Sequence, residues 1–77
     1  MSKELPVIPS DKAIRAFERL GYKVVRQRGS HARMIHPAGG ERKPLTIPRH
    51  HRDLGRGLLR KLCRDANINP AELVELL

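Results

Sequence analysis

A two-layer α+β domain, with a three-stranded antiparallel sheet and helices on one face, is the fold class this chain predicts. Three observations predict it. Apolar spacing changes from helical to strand-like near position 22 and returns to helical spacing after position 53. The strand-like runs are separated only by short breaks built on glycine and proline, too short for parallel crossovers. A chain of 77 residues buries only about 60% of its unfolded surface, so its core is thin and its connections must be simple.

The elements follow in order. Pro6 and Pro9 interrupt the opening residues, which read as an extended, mobile tail over 1–9. Ser10 is the expected helix N-cap, and Asp11 in the first turn suits the helix dipole. Ala13, Ile14, Ala16, Phe17 and Leu20 form one apolar stripe, and Gly21 ends the helix in a left-handed conformation. From Tyr22 to Arg28 the period changes to two, placing Tyr22, Val24, Arg26 and Arg28 on one side and Lys23, Val25 and Gln27 on the other. Gly29-Ser30 is a tight turn, His31 to His36 the second strand, and Pro37-Ala38-Gly39-Gly40 the second turn. Lys43 to Ile47 is the third strand, stopped by Pro48, and Arg49 to Asp53 is a polar loop.

Leu54, Leu58, Leu59, Leu62, Cys63 and Ala66 then carry helical spacing toward Asn67. Gly55 and Gly57 weaken its first turn, so the helix proper is expected from Arg56 or later. Asn69-Pro70-Ala71-Glu72 combines an N-cap, a proline at N1 and an acid at N3, opening a short last helix that packs back through Leu73, Val74, Leu76 and Leu77. The expected organisation is a single domain over 1–77, with the tail at 1–9, the core at 10–69 and the short helix at 70–77.

Charge narrows the function. Sixteen Lys plus Arg stand against eight Asp plus Glu, a net +8. Such an excess on a small surface attracts polyanions over long range, and nucleic acid is the leading one because each neutralised phosphate releases counterions. Only Glu41 is acidic between Glu18 and Asp53. Basic clusters lie at Lys23, Arg26 and Arg28, at Arg42 and Lys43, and at Arg49, Arg52, Arg56, Arg60, Lys61 and Arg64. With two aromatic residues there is no stacking platform, so recognition by shape and backbone is expected. No apolar run approaches the roughly 20 residues of a membrane span, and the first nine residues do not read as a signal peptide, so a cytoplasmic location is expected. The single cysteine, Cys63, reads as a buried, inert thiol. No Cys/His spacing matches a zinc site, Asp11, Glu18, Asp53 and Glu72 fall on different elements, and no Walker-type loop is present. Neither a metal nor a cofactor is expected.

His31 is the candidate for chemistry. It follows Arg28-Gly29-Ser30 at a strand entrance, among Arg26, Arg28 and Arg33. An imidazole exchanges a proton near neutral pH, and RNA brings its own nucleophile in the 2′-OH. A positioned base or acid, with cations to stabilise charge on the phosphorane oxygens, is then sufficient. On the residues alone, a solvated histidine in a basic strand is the favoured reading. His36 is expected at the surface, while His50 and His51 read as loop residues with a structural or phosphate-contacting role.

Three stretches in register resemble HicA-type toxins: Gly29-Ser30-His31 at a strand start, Leu45-Thr46-Ile47-Pro48-Arg49-His50 at the end of the next, and Gly57-Leu58-Leu59-Arg60-Lys61-Leu62 opening a helix. The lead-in from Phe17 through Leu20-Gly21-Tyr22 and Val24-Val25-Arg26-Gln27 to Gly29 resembles them too. The resemblance covers about Asp11 to Asn69. It implies a fold like double-stranded-RNA-binding domains and the toxin of a type II toxin–antitoxin pair. It also implies an mRNA interferase that blocks translation and a HicB antitoxin that covers the active site. It puts the catalytic histidine on His31 and its turn partner on Gly29. Ser30, Arg26, Arg28, Arg33 and Lys43 complete the expected substrate contacts. The chain departs from the family at Gly55 and Gly57, where one glycine is extra, and at Leu58, where a threonine is common. A non-catalytic basic RNA-binding module is the alternative, and a protein whose charge chiefly docks an acidic antitoxin is a third.

Overall fold

In the computed structural model, which describes residues 5–49 and 53–77, the chain runs β1 (Ile8–Pro9), α1 (Ser10–Leu20), β2 (Lys23–Arg28), β3 (His31–Ile35), β4 (Leu45–Pro48), β5 (Asp53–Leu54), α2 (Arg56–Asp65) and α3 (Pro70–Leu76). Strands β2, β3 and β4 form an antiparallel sheet in that order. Ala32 and Met34 of β3 and Leu45 and Ile47 of β4 share one core cluster with Phe17 of α1, Leu59 and Leu62 of α2 and Leu73 of α3. The helices therefore cover one face of the sheet and leave the other open, as the sequence predicts.

Helix α1 buries Ala13, Ile14, Ala16 and Phe17. A buried phenylalanine contributes roughly 1.5–3 kcal/mol. The helix ends as expected: Gly21 takes φ +116°, and the N–H of Tyr22 donates to Phe17 O at 3.0 Å. This closure brings the Tyr22 ring edge-on to Phe17, 6.0 Å between centroids. The Tyr22 hydroxyl donates to Lys43 O at 2.8 Å, and burial raises its pKa so that it stays a donor. Helix α2 closes in the same way on Asn67, which takes φ +58° while Ile68 N–H donates to Cys63 O. Asn69 and Glu72 form the expected capping box on α3.

Several expectations are corrected. Residues 1–4 of the tail lie outside the described residues; beyond them the segment is extended but packed rather than mobile. Leu5 and Ile8 are buried, Ile8 and Pro9 pair with Leu54 and Asp53, and Arg56 Nε donates to Leu5 O at 2.8 Å. Leu54 is accordingly a strand residue, outside α2. With β1 held there, α1 leaves the strand directly at Pro9, which is the N-cap; Ser10 is the first helical residue and is buried. The third strand is Leu45–Pro48, beginning two residues later than expected. His36 is half-buried: Nδ1 accepts from Ala38 N–H at 3.0 Å, Nε2 lies 3.1 Å from Leu20 O, and the ring meets Tyr22 edge-on at 5.1 Å. At Leu58 no capping hydroxyl is replaced by another: Gly55 caps α2 without a side-chain bond, and Leu58 packs against the core.

A Cβ on Gly21 would sit 2.6 Å from His36 Nε2 in an already left-handed conformation. Gly21→Ala is therefore expected to cost about 2 kcal/mol or more, read as a lower urea midpoint at unchanged slope. Gly29→Ala, at φ +58° with open space around it, should cost only about 1 kcal/mol.

Burial, helped by Glu72, pushes the Cys63 thiol up to about 11. The unfolded chain ionises this group first, so the associated stability is present below pH 9.0 and is lost as pH rises toward about 11. A disulfide reagent at pH 8 should label Cys63 only at the rate of unfolding.

Candidate nucleic-acid interface

Strand β3 lies in the middle of the sheet, and alternation along it decides what each face carries. Ala32 and Met34 are buried, so His31, Arg33 and Ile35 point to the open face. Directly opposite residues on paired strands share a face. His31 is opposite Arg28 of β2 and Pro48 of β4; Arg33 is opposite Arg26 and Thr46. All of these but half-buried Pro48 are exposed. Arg33 Nη1 lies 3.4 Å from Thr46 Oγ1. No acid occurs in β2, β3 or β4, so the cations of this face are not balanced within the sheet.

The first strand does not keep the simple alternation read from the sequence. Val24 pairs with Met34 on the covered side, whereas Arg26 pairs with Arg33 on the open side. Two residues apart would ordinarily mean one face; an irregularity at Val25 inserts an extra residue and reverses the parity. Arg26 and Arg28 remain together, while Val24 leaves them.

The turn before His31 is tight. Gly29 takes φ +58°, and Ser30 stays out of the positive region. A glycine at the first central position is what a two-residue II′ hairpin turn requires. The Ser30 carbonyl accepts the N–H of Arg49. The Arg49 side chain then reaches two other elements: Nε donates to Asp11 Oδ1 at 3.2 Å and Nη1 to Gln27 Oε1 at 2.7 Å. Arg49 thus ties the His31 turn to the first turn of α1 and to β2. Sequence reading left it as one loop cation among several. Its place after the proline that ends β4 was the only local hint, because Asp11 and Gln27 are 38 and 22 residues away.

Of the expected site residues, the fold brings His31, Gly29, Ser30, Arg26, Arg28 and Arg33 to the turn and the open face. Lys43 is not among them. It precedes β4 at the end of the sheet away from His31, with its N–H donating to Asp65 O at 2.7 Å and its carbonyl held by Tyr22. Its placement follows from the shorter β4. Arg56 is engaged with Leu5 O, and Lys61 pairs with Asp65. His50, His51 and Arg52 lie outside the described residues. Among the described residues no group of three His, Cys, Asp or Glu side chains is placed to hold a metal ion, and no helix is long and apolar enough to cross a membrane.

The family described as "HicA toxin of bacterial toxin-antitoxin" matches residues 10–68. No curated protein matches the chain.

The Arg49–Asp11 pair is substantially exposed, so its loss should be mild. Arg49→Ala is expected to lower stability by no more than about 1 kcal/mol in urea titrations. Amide exchange at Gln27 and in the 29–31 turn should nonetheless accelerate, because the side-chain tie to β2 and α1 is gone.

Proposed function

Starting from the chain's membership of the HicA toxin family of bacterial toxin–antitoxin systems, we propose that it is an mRNA interferase, an endoribonuclease that blocks translation by cutting transcripts. One observation carries the reading: His31 stands exposed on an acid-free cationic sheet face, at the mouth of a tight turn and opposite Arg28. In this reading the RNA 2′-OH attacks the neighbouring phosphorus and the bond to O5′ breaks. His31 serves as the general base that takes the 2′-OH proton or as the general acid that protonates O5′. Arg28, Arg26 and Arg33 offer charge to the phosphorane oxygens and the adjoining backbone. Gly29 lets the RNA approach the turn without a side chain in the way, and Ser30 contacts a phosphate or orients the imidazole. No step passes through a metal in this reading, since nucleophile and proton carrier are supplied by RNA and protein.

The remaining partner is a HicB-like antitoxin that neutralises the toxin by covering the open face. Its acidic groups would meet the same unbalanced cations that RNA meets. A cytoplasmic site of action accords with a transcript substrate.

The test is incubation of purified protein with an end-labelled transcript in the presence of chelator. Wild type should cut, and His31→Ala should lose at least about 100-fold in rate with its urea midpoint unchanged. A folded His31→Ala variant that still cuts would remove the histidine from the mechanism. Retarded but intact transcript with wild type, at every pH tried, would establish the non-catalytic binding module instead.

A further inference from the structure

The open face carries a feature that charge alone does not explain. Val25 and Ile35 are 55% and 41% exposed, and with Arg26 and Arg33 they line a shallow depression. The irregularity at Val25 creates it. An unbroken β2 in register with Arg26 and Arg28 would present Val24 to this face; the inserted residue sends Val24 to the covered side and leaves Val25 beside Ile35. Arg26 and Arg33 are directly opposite on neighbouring strands, and like charges so placed are unfavourable without an anion nearby. The depression lies one side-chain step along β3 from His31, about 6.6 Å by strand geometry. That is close to one nucleotide step of an RNA strand.

We propose that Val25, Arg26, Arg33 and Ile35 form a nucleotide subsite that seats the residue adjoining the phosphate at His31. Its phosphate lies between the two arginines and its base against the two aliphatic side chains. The subsite rests on the reading of this face as the RNA-binding surface. The size of the depression favours a base over a protein partner. Two aliphatic residues suffice to cover one face of a base, whereas a specific protein interface buries about 800 Å² on each side. Apolar contact with a base also explains why aliphatic side chains remain exposed in an otherwise cationic sheet.

The experiment measures binding without cleavage. The probes are a fluorescein-labelled single-stranded 2′-O-methyl oligoribonucleotide, which lacks the attacking hydroxyl, and an abasic chain of equal length. Val25→Ser/Ile35→Ser should bind the first probe about fivefold to tenfold more weakly and the abasic chain as wild type does. Arg26→Gln/Arg33→Gln should weaken both, and the slope of log affinity against log salt should become shallower by about 1.4. Circular dichroism confirms the fold of both variants, whose altered side chains are exposed.

Unchanged binding of both probes by the serine variant overturns the subsite. If that variant loses affinity only for an acidic Glu–Leu copolymer, the depression is a protein contact and the subsite is likewise refuted. Wild type that binds the 2′-O-methyl probe but leaves the unmodified end-labelled transcript uncut refutes the interferase reading while leaving the subsite standing. Wild type that binds neither probe refutes both.

Discussion

The complete burial of Ala32 and Met34 is the constraint on which the rest of the open face depends. Both sit on the middle strand, where each is closed in from both sides: Ala32 by Gln27 and Ile47, Met34 by Val24 and Leu45. Because a strand alternates with period two, fixing these two residues inward fixes His31, Arg33 and Ile35 outward. A slip of one residue would place an imidazole and a guanidinium under α1 while exposing Ala32 and Met34. Burying an unpaired guanidinium costs several kcal/mol, which makes the observed register far more stable than its neighbour. Exposure of His31 is therefore a consequence of core packing.

Alternation sets the face, and other contacts set the position along it. The Gly29 turn limits how far β2 and β3 can slide, and Arg49 fixes the turn against β4 through its backbone N–H and against α1 and β2 through its side chain. At the opposite end His36, Gly21 and Tyr22 lock the end of β3 to the end of α1. The middle strand is thus held at both ends, with the open face between. The outer edge of β2 is exposed along its whole length, yet its cations and its bulge make it a poor template for another strand. The same bulge that protects this edge also shapes the face.

Local signals were legible in the sequence, and distant ones were not. Gly21, Asn67 and the Asn69–Glu72 box carry their instruction within five residues; the first two close helices and the box opens one, as read. The three strands and the covered layer followed from alternation and short turns, whereas the face that His31 takes is set by the burial of Ala32 and Met34. Leu54 was misread because it stands four residues before Leu58, which is helical spacing; its pairing with Ile8 spans 46 residues and leaves no local trace. The bulge at Val25 has no glycine to announce it, so the division of β2 between faces was wrong from Val25 backward. Pro6 and Pro9 correctly marked an extended segment, but the burial of Leu5 against the core is a tertiary contact. Arg49 and Lys43 exchanged importance for the same reason. One reaches across the fold to the turn, and the other is anchored away from it by Asp65 and Tyr22.

A net +8 with no acid in the three central strands has a further consequence. Like charges held on one surface repel, and a chain this small has little core stability to oppose them. Any polyanion that covers the face relieves this repulsion, so a transcript and an acidic antitoxin would draw on the same field. Screening acts on both, over a Debye length of about 8 Å at physiological salt, and cannot tell them apart. Discrimination must then arise from short-range features that a point-charge description omits. On this face those are the exposed imidazole at the turn and the Val25–Ile35 depression, where two aliphatic side chains lie beside two arginines. In the proposed reading, affinity for polyanions in general would be distributed over the arginines, whereas the choice among them would be concentrated where the sheet departs from regular geometry.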